Sequence, residues 1–138
     1  MANPNIVNVS VINGSTAYVL PASTSVSVAW TYADPSTSGS VSLTGLTPAS
    51  GTVNKINNIV VSNTTSSAAN CSVAISNNPT YASGTAYYIA YQISVPPNAS
   101  VIITDKTTAF YVTQFQSVGV ISGTASALTY VASFEAIS

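Results

Sequence analysis

Hydrophobic and polar residues alternate with a period of two along most of the chain. Val26, Val28 and Trp30 alternate with Ser25, Ser27, Ala29 and Thr31. Tyr87, Ile89, Tyr91, Ile93 and Val95 share one face, and Tyr88, Ala90, Gln92 and Ser94 share the other. Successive strand side chains point to opposite faces, so this alternation predicts half-buried β-strands. The same pattern predicts strands over residues 6–12, 16–20, 40–46, 53–62, 71–75, 100–104, 110–121 and 128–137. β-Branched and aromatic side chains dominate these stretches, as a pleated surface favours. No window carries the i, i+3, i+4, i+7 apolar stripe of an amphipathic helix.

Turn chemistry separates the strands. Asn13-Gly14 lies between two apolar runs and carries a strong hairpin signal. Residues 33–39, 47–51, 77–79 and 96–98 have loop composition, and Asp105-Lys106 predicts a further tight connection. About eight to ten short strands at this spacing predict an all-β fold. The expected architecture is a single-domain antiparallel β-sandwich over residues 1–138, jelly-roll or immunoglobulin-like, with the strand order left open.

Two stretches carry apolar residues on both faces. Residues 127–134 place Leu128, Tyr130 and Phe134 opposite Val131, and residues 110–121 place Tyr111 and Phe115 opposite Phe110 and Val112. Such a strand is either central and covered twice, or has one face against another subunit. Interface cores are depleted in charge and enriched in Tyr and Phe, which makes Tyr88, Tyr111 and Phe115 interface candidates. Ile6, Val7 and Val9 join them, because residues 1–12 could act as an arm that adds to a neighbour's sheet edge. The competing expectation is an ordinary first strand of the chain's own sandwich.

Charge changes the picture most. Of 138 residues only Lys55, Lys106, Asp34, Asp105 and Glu135 are charged; there is no Arg and no His. Charged residues make up 4% of the chain, against about 25% in an ordinary soluble domain. Hydrophobic residues make up 46%, so the chain has a core to bury and lacks a disorder signature. Near-zero net charge favours association. Two distant lysines cannot form the basic stripe a phosphate backbone requires, so no nucleic-acid partner is expected. No apolar run approaches the roughly 20 residues of a membrane span, and the start has neither basic flank nor apolar stretch of a secretory signal.

The same shortage restricts chemistry. A Ser–His–Asp or Cys–His arrangement cannot be built without His. Cys71 is the single cysteine and lies in an apolar alternating stretch, which predicts a buried, inert thiol. Three scattered acids make neither a glycosidase pair nor a calcium cage. Asp34 and Asp105 fall in turns, where Asp ordinarily bonds its own backbone. Neither an enzyme nor a cofactor is expected. Asn-x-Ser/Thr triplets begin at Asn8, Asn13, Asn63, Asn70 and Asn98. A chain this rich in Asn, Ser and Thr produces several by chance, so they carry no argument for glycosylation.

Several blocks resemble a known family. These are the opening Met1-Ala2-Asn3-Pro4-Asn5-Ile6-Val7-Asn8-Val9, the run Val53-Asn54-Lys55-Ile56-Asn57-Asn58-Ile59-Val60-Val61-Ser62-Asn63, and Ala86-Tyr87-Tyr88-Ile89-Ala90 leading to Ile93-Ser94-Val95-Pro96-Pro97-Asn98-Ala99-Ser100. With the ending Ser133-Phe134-Glu135-Ala136-Ile137-Ser138, they are similar to small virion structural proteins of tailed phages, especially contractile-tailed phages of cyanobacteria. The resemblance implies a β-sandwich particle component present in many copies, and it supplies no active-site residues. The expectation is a capsid decoration or cement protein, made in the host cytoplasm and located in the virion. Its partners would be the major capsid protein and copies of itself. Neck, collar, tail and fibre components are the alternatives within the particle. A carbohydrate-binding or adhesive module is the alternative outside that class, with Tyr32, Tyr88 and Trp30 as stacking candidates, although the alternation around Trp30 points to the core.

Overall fold

The computed structural model describes residues 9–34 and 38–138. Ten strands follow in chain order: β1 (Ile12–Val19), β2 (Ala29–Ala33), β3 (Ser40–Thr44), β4 (Val53–Asn63), β5 (Ala69–Ser76), β6 (Ala86–Val95), β7 (Ser100–Thr104), β8 (Phe110–Val112), β9 (Ser117–Ser122) and β10 (Leu128–Ile137). They form two antiparallel sheets packed on each other, the all-β sandwich that the alternation predicts. The larger sheet has seven strands in the order β3-β2-β1-β10-β4-β7, with β8 pairing the other half of β4's outer edge; the smaller has the order β6-β5-β9.

The core lies between the sheets. Ile56, Ile59, Val61, Leu128, Tyr130 and Ala132 enter from the large sheet, and Cys71, Val73, Val95, Val118 and Val120 from the small one. β10 is the central strand, paired with β1 from Tyr130 to Ile137 on one side and with β4 from Leu128 to Ile137 on the other. That position explains why its alternation is imperfect: Val131, on the far face, is itself half-buried.

Trp30 is fully buried and its Nε1 donates to Val118 O at 3.1 Å. Beside it, Ser27 and Val120 exchange both main-chain bonds, and Val118 N donates to Gly45 O at 2.7 Å. The chain around β2 thus occupies the outer edge of β9 and stitches the two sheets together. Gly45 sits at φ +66°, and a Cβ there would lie 2.5 Å from the Ser117 Cβ, so only glycine fits this approach.

Turn chemistry is followed closely at several loops. Asp105 caps a 3-10 turn at Lys106–Thr108: its carboxylate accepts from Thr107 N at 2.9 Å and Thr107 Oγ1 at 2.6 Å. Asn98 turns the chain after Pro96-Pro97 at φ +53°.

Two local expectations are corrected, and part of the candidate arm can be placed. Asn13-Gly14 is no hairpin: both residues lie within β1, opposite Ala136 and Glu135 of β10. A turn signal operates when its flanking runs pair with each other; here the run takes β10 as partner instead, and a local preference yields to a long ladder. Residues 110–121 are two strands, β8 and β9, in different sheets, with the crossing made at residues 113–116. Within the expected arm, residues 10–12 pair with their own chain, as Ser10 N and Val11 N both donate to Ser138 O and Ile12 faces Ile137. Ile6 and Val7 lie outside the described residues, and Val9 is half-buried just before this pairing.

Candidate functional site

The small sheet's one uncovered edge is β6, while β3 bounds one side of the large sheet and β7 and β8 the other. Folded proteins usually blunt such edges with charge, above all Lys. Here Lys55 lies inside the large sheet, directly opposite Glu135 on one side and Tyr111 on the other. Lys106 stands in the turn between β7 and β8. The edge strands carry Tyr87, Tyr88, Ile89, Tyr91 and Ile93 on β6, Ile102 on β7 and Tyr111 on β8, all exposed.

The interface candidates therefore stand apart. Tyr111 is on β8 of the large sheet, Phe115 (54% exposed) follows in the crossing after it, and Tyr88 belongs to the small sheet. The aromatic face inferred for residues 110–121 divides where the chain changes sheets.

β6 departs from strict alternation, and its geometry is the least legible in the sequence. Val73 faces Ala90 and Ala74 faces Tyr88, which leaves Ile89 extra; Cys71 faces Ile93 and Val73 faces Ala90, which sets both Tyr91 and Gln92 against Ser72. Each β-bulge reverses the side on which later residues project. Gln92 accommodates the second at φ +49°, and its N–H donates to Ser72 Oγ at 2.9 Å. Tyr88 and Tyr91, three residues apart, consequently lie on the same outer face, ring centroids 4.8 Å apart and planes at 69°.

These rings form one wall of a cleft of about 230 Å³ on the outer face of the small sheet. Ser72 and Ile121, opposite each other on β5 and β9, line its base. Asn70, Gln92 and Gly123 complete the lining. No charged side chain lines it. Further along this face the rows are small, Ala74 beside Gly119, and Tyr81 with Val26 covers them so closely that a Cβ on Gly119 would lie 2.6 Å from Tyr81 Cε2.

A second cleft of about 220 Å³ lies where the large sheet extends past the small one. It includes Tyr32, Leu43, Pro48 and Phe134. Tyr32 packs edge-on against Phe134 at 5.8 Å, and Asn54, buried beneath, donates through Nδ2 to Leu46 O at 2.9 Å. Of the three stacking candidates, Trp30 is core and Tyr32 is half-buried here, so Tyr88 alone stands open to solvent.

Titratable groups offer little at neutral pH. Cys71 is buried and burial pushes its thiol up. Burial, with Cys71 nearby, pushes the Tyr130 phenol well above the ordinary tyrosine range, and its hydroxyl donates to Ile121 O at 2.7 Å. Hydrogen bonds from Thr107 hold the Asp105 carboxyl below the usual range. Among the described residues no three His, Cys, Asp or Glu side chains converge as a metal site would require. Fold and surface together define an all-β sandwich whose edge strands β6, β7 and β8 expose apolar side chains, while the edge strand β3 exposes Ser40, Ser42 and Thr44. No protein-family model, curated protein or solved structure matches the chain.

Proposed function

We propose that this chain is a structural protein of a phage virion, and within the particle a decoration or cement protein of the capsid shell. The observation that carries the reading is the exposed apolar side chains on the edge strands β6, β7 and β8, without charge to blunt them. A protein living alone in solution would expose these edges to promiscuous pairing; a protein assembled against neighbours covers them. Contacts made from apolar area and neutral hydrogen bonds also persist across ionic strengths that screen surface ion pairs. The sequence resemblance points the same way. Neck, collar, tail and fibre positions use the same surface chemistry and differ in copy number.

Quantitative mass spectrometry of purified particles, with cryo-microscopy, tests this. Decoration predicts a copy number comparable with that of the major capsid protein and density on the shell. A few copies located at the neck or tail would move the protein within the virion. Absence from purified particles would overturn the reading. Ile102→Lys and Ile93→Lys change exposed side chains on two different edges. Each is expected to fold, and at the edge that docks, burying an unpaired ammonium lowers occupancy by at least about tenfold. Unchanged occupancy in the double variant would refute docking through these edges.

A further inference from the structure

We propose that the cleft between Tyr88, Tyr91 and Gln92 on the outer face of the small sheet binds a neutral oligosaccharide. This goes beyond the virion assignment and does not rest on it. Four observations converge on the site.

The aromatic pair has little packing duty. Tyr88 is 48% and Tyr91 62% exposed, and their rings touch each other at the lip of the cleft. A large rigid ring left half in water supplies contact area at low entropic cost to something that arrives later.

The polar groups are neutral and unspent. The Asn70 and Gln92 amides have no side-chain hydrogen-bond partner among the described residues. Each amide offers donors and an acceptor together, which suits the vicinal hydroxyls of a sugar ring. Without a charged group in the lining, a phosphate, a carboxylate or a metal ion finds nothing to compensate its charge.

The backbone is held in an uncommon state to present them. Gln92 occupies the left-handed region at φ +49°, where glycine would be the unstrained choice. Strain of this kind persists where surroundings over-determine it and gathers at binding sites. Across the cleft, a Cβ on Gly123 would lie 3.3 Å from the Asn70 backbone, so glycine there lets the two segments approach.

Shape favours a short polymer segment over a protein strand. At about 230 Å³ the cleft is smaller than the roughly 300–1,000 Å³ pockets that enclose drug-sized ligands, and suits a sugar ring or two of a chain extending into solvent. The bulges at Ile89 and at Tyr91-Gln92 also interrupt the regular ladder that an added peptide strand would need.

The test titrates the full chain calorimetrically with cellohexaose, maltohexaose, xylohexaose and chitohexaose, with a heparin hexasaccharide as charged counterpart. At least one neutral hexasaccharide is expected to bind with a dissociation constant of about 0.1–1 mM. That value should change little between about 50 and 500 mM salt, because no ion pair is involved. Tyr91→Ala is expected to weaken it at least about tenfold, and Tyr111→Ala, an exposed ring on the other sheet, to leave it unchanged. Gln92→Gly removes the amide while relaxing the backbone, so binding should fall while thermal stability holds or rises, and it decides the matter if Tyr91→Ala fails to fold. The proposal is overturned if no neutral hexasaccharide binds at about 10 mM. Binding of heparin alone, or full binding by Gln92→Gly and Tyr91→Ala, overturns it equally.

Discussion

Asn63 offers the sharpest test of how this fold is held. In sequence it opens an Asn-Thr-Thr triplet that could pass for a glycosylation site; in the structure it is 2% exposed and its side chain makes four hydrogen bonds. Nδ2 donates to Ser67 O at 2.8 Å and Val95 O at 3.0 Å, while Oδ1 accepts from Thr65 N at 2.9 Å and Thr65 Oγ1 at 2.8 Å. One amide thus shapes the β4–β5 connection and ties it to the end of β6. In Asn63→Ala, Ser67 is exposed and its carbonyl recovers water, and Thr65 recovers part of its bonding. Val95 is fully buried, so its carbonyl loses a bond that water cannot easily replace. An orphaned buried group costs about 1–3 kcal/mol, and the lost cap and small cavity bring the sum to about 2–4 kcal/mol. For a chain of this length that is a fall in Tm of about 8–16 °C. Asn63→Asp separates bonding from packing. It keeps the volume but turns a second lone-pair-bearing oxygen toward Val95 O and Ser67 O, so its folded pKa is raised above the unfolded value of about 3.9. Its deficit against the parent is therefore smallest below about pH 4 and grows as pH rises through the folded pKa. Calorimetric melts of both variants at pH 3.5, 5 and 7 (about 0.5–1 unit either side of the unfolded carboxyl pKa and at neutrality) provide the check. A loss under about 3 °C for Asn63→Ala, or a pH-independent deficit for Asn63→Asp, would refute the assignment.

Two further outcomes follow from the same structure. Trp30→Phe removes the indole donor to Val118 O and leaves a gap between the sheets, so denaturant titration should show a loss of about 2–4 kcal/mol; a loss under about 1 kcal/mol would mean the indole tie is dispensable. The pH profile should be lopsided. With no His and three carboxylates the acid limb is shallow: Asp105, whose folded pKa is lowered, gives up its small contribution only as pH falls through the carboxylate range. On the alkaline side the raised thiol of Cys71 and raised phenol of Tyr130 contribute fully below their unfolded pKa values, and stability falls as pH climbs beyond about 9–10. Melts from pH 3 to 11 (from about one unit below the unfolded carboxylate pKa to one above that of tyrosine) would contradict this if the acid limb proved the steeper.

Much of the fold was legible from the chain alone, and for a simple reason. Period-two alternation is a local record of which side of a strand meets water, so strands such as β4, β7 and β10 stand close to where the pattern puts them. The scarcity of charge is likewise a property of composition, read directly from the chain. Trp30 and Cys71 sit in the core, as their alternating surroundings implied.

What the chain could not disclose are relations between distant segments. Asn13-Gly14 reads as a turn until β10 takes the strand that contains it, and residues 110–121 read as one strand until its halves join different sheets. Side-chain sidedness in β6 depends on where bulges fall, and bulges arise from the mismatch in register with β5 that no single strand encodes. Strict alternation puts Tyr88 and Tyr91 on opposite faces, and the bulge brings them onto one. Local pattern sets which residues want burial; pairing over long sequence separations, worth more than any one turn preference, decides which edges remain open and which rings meet.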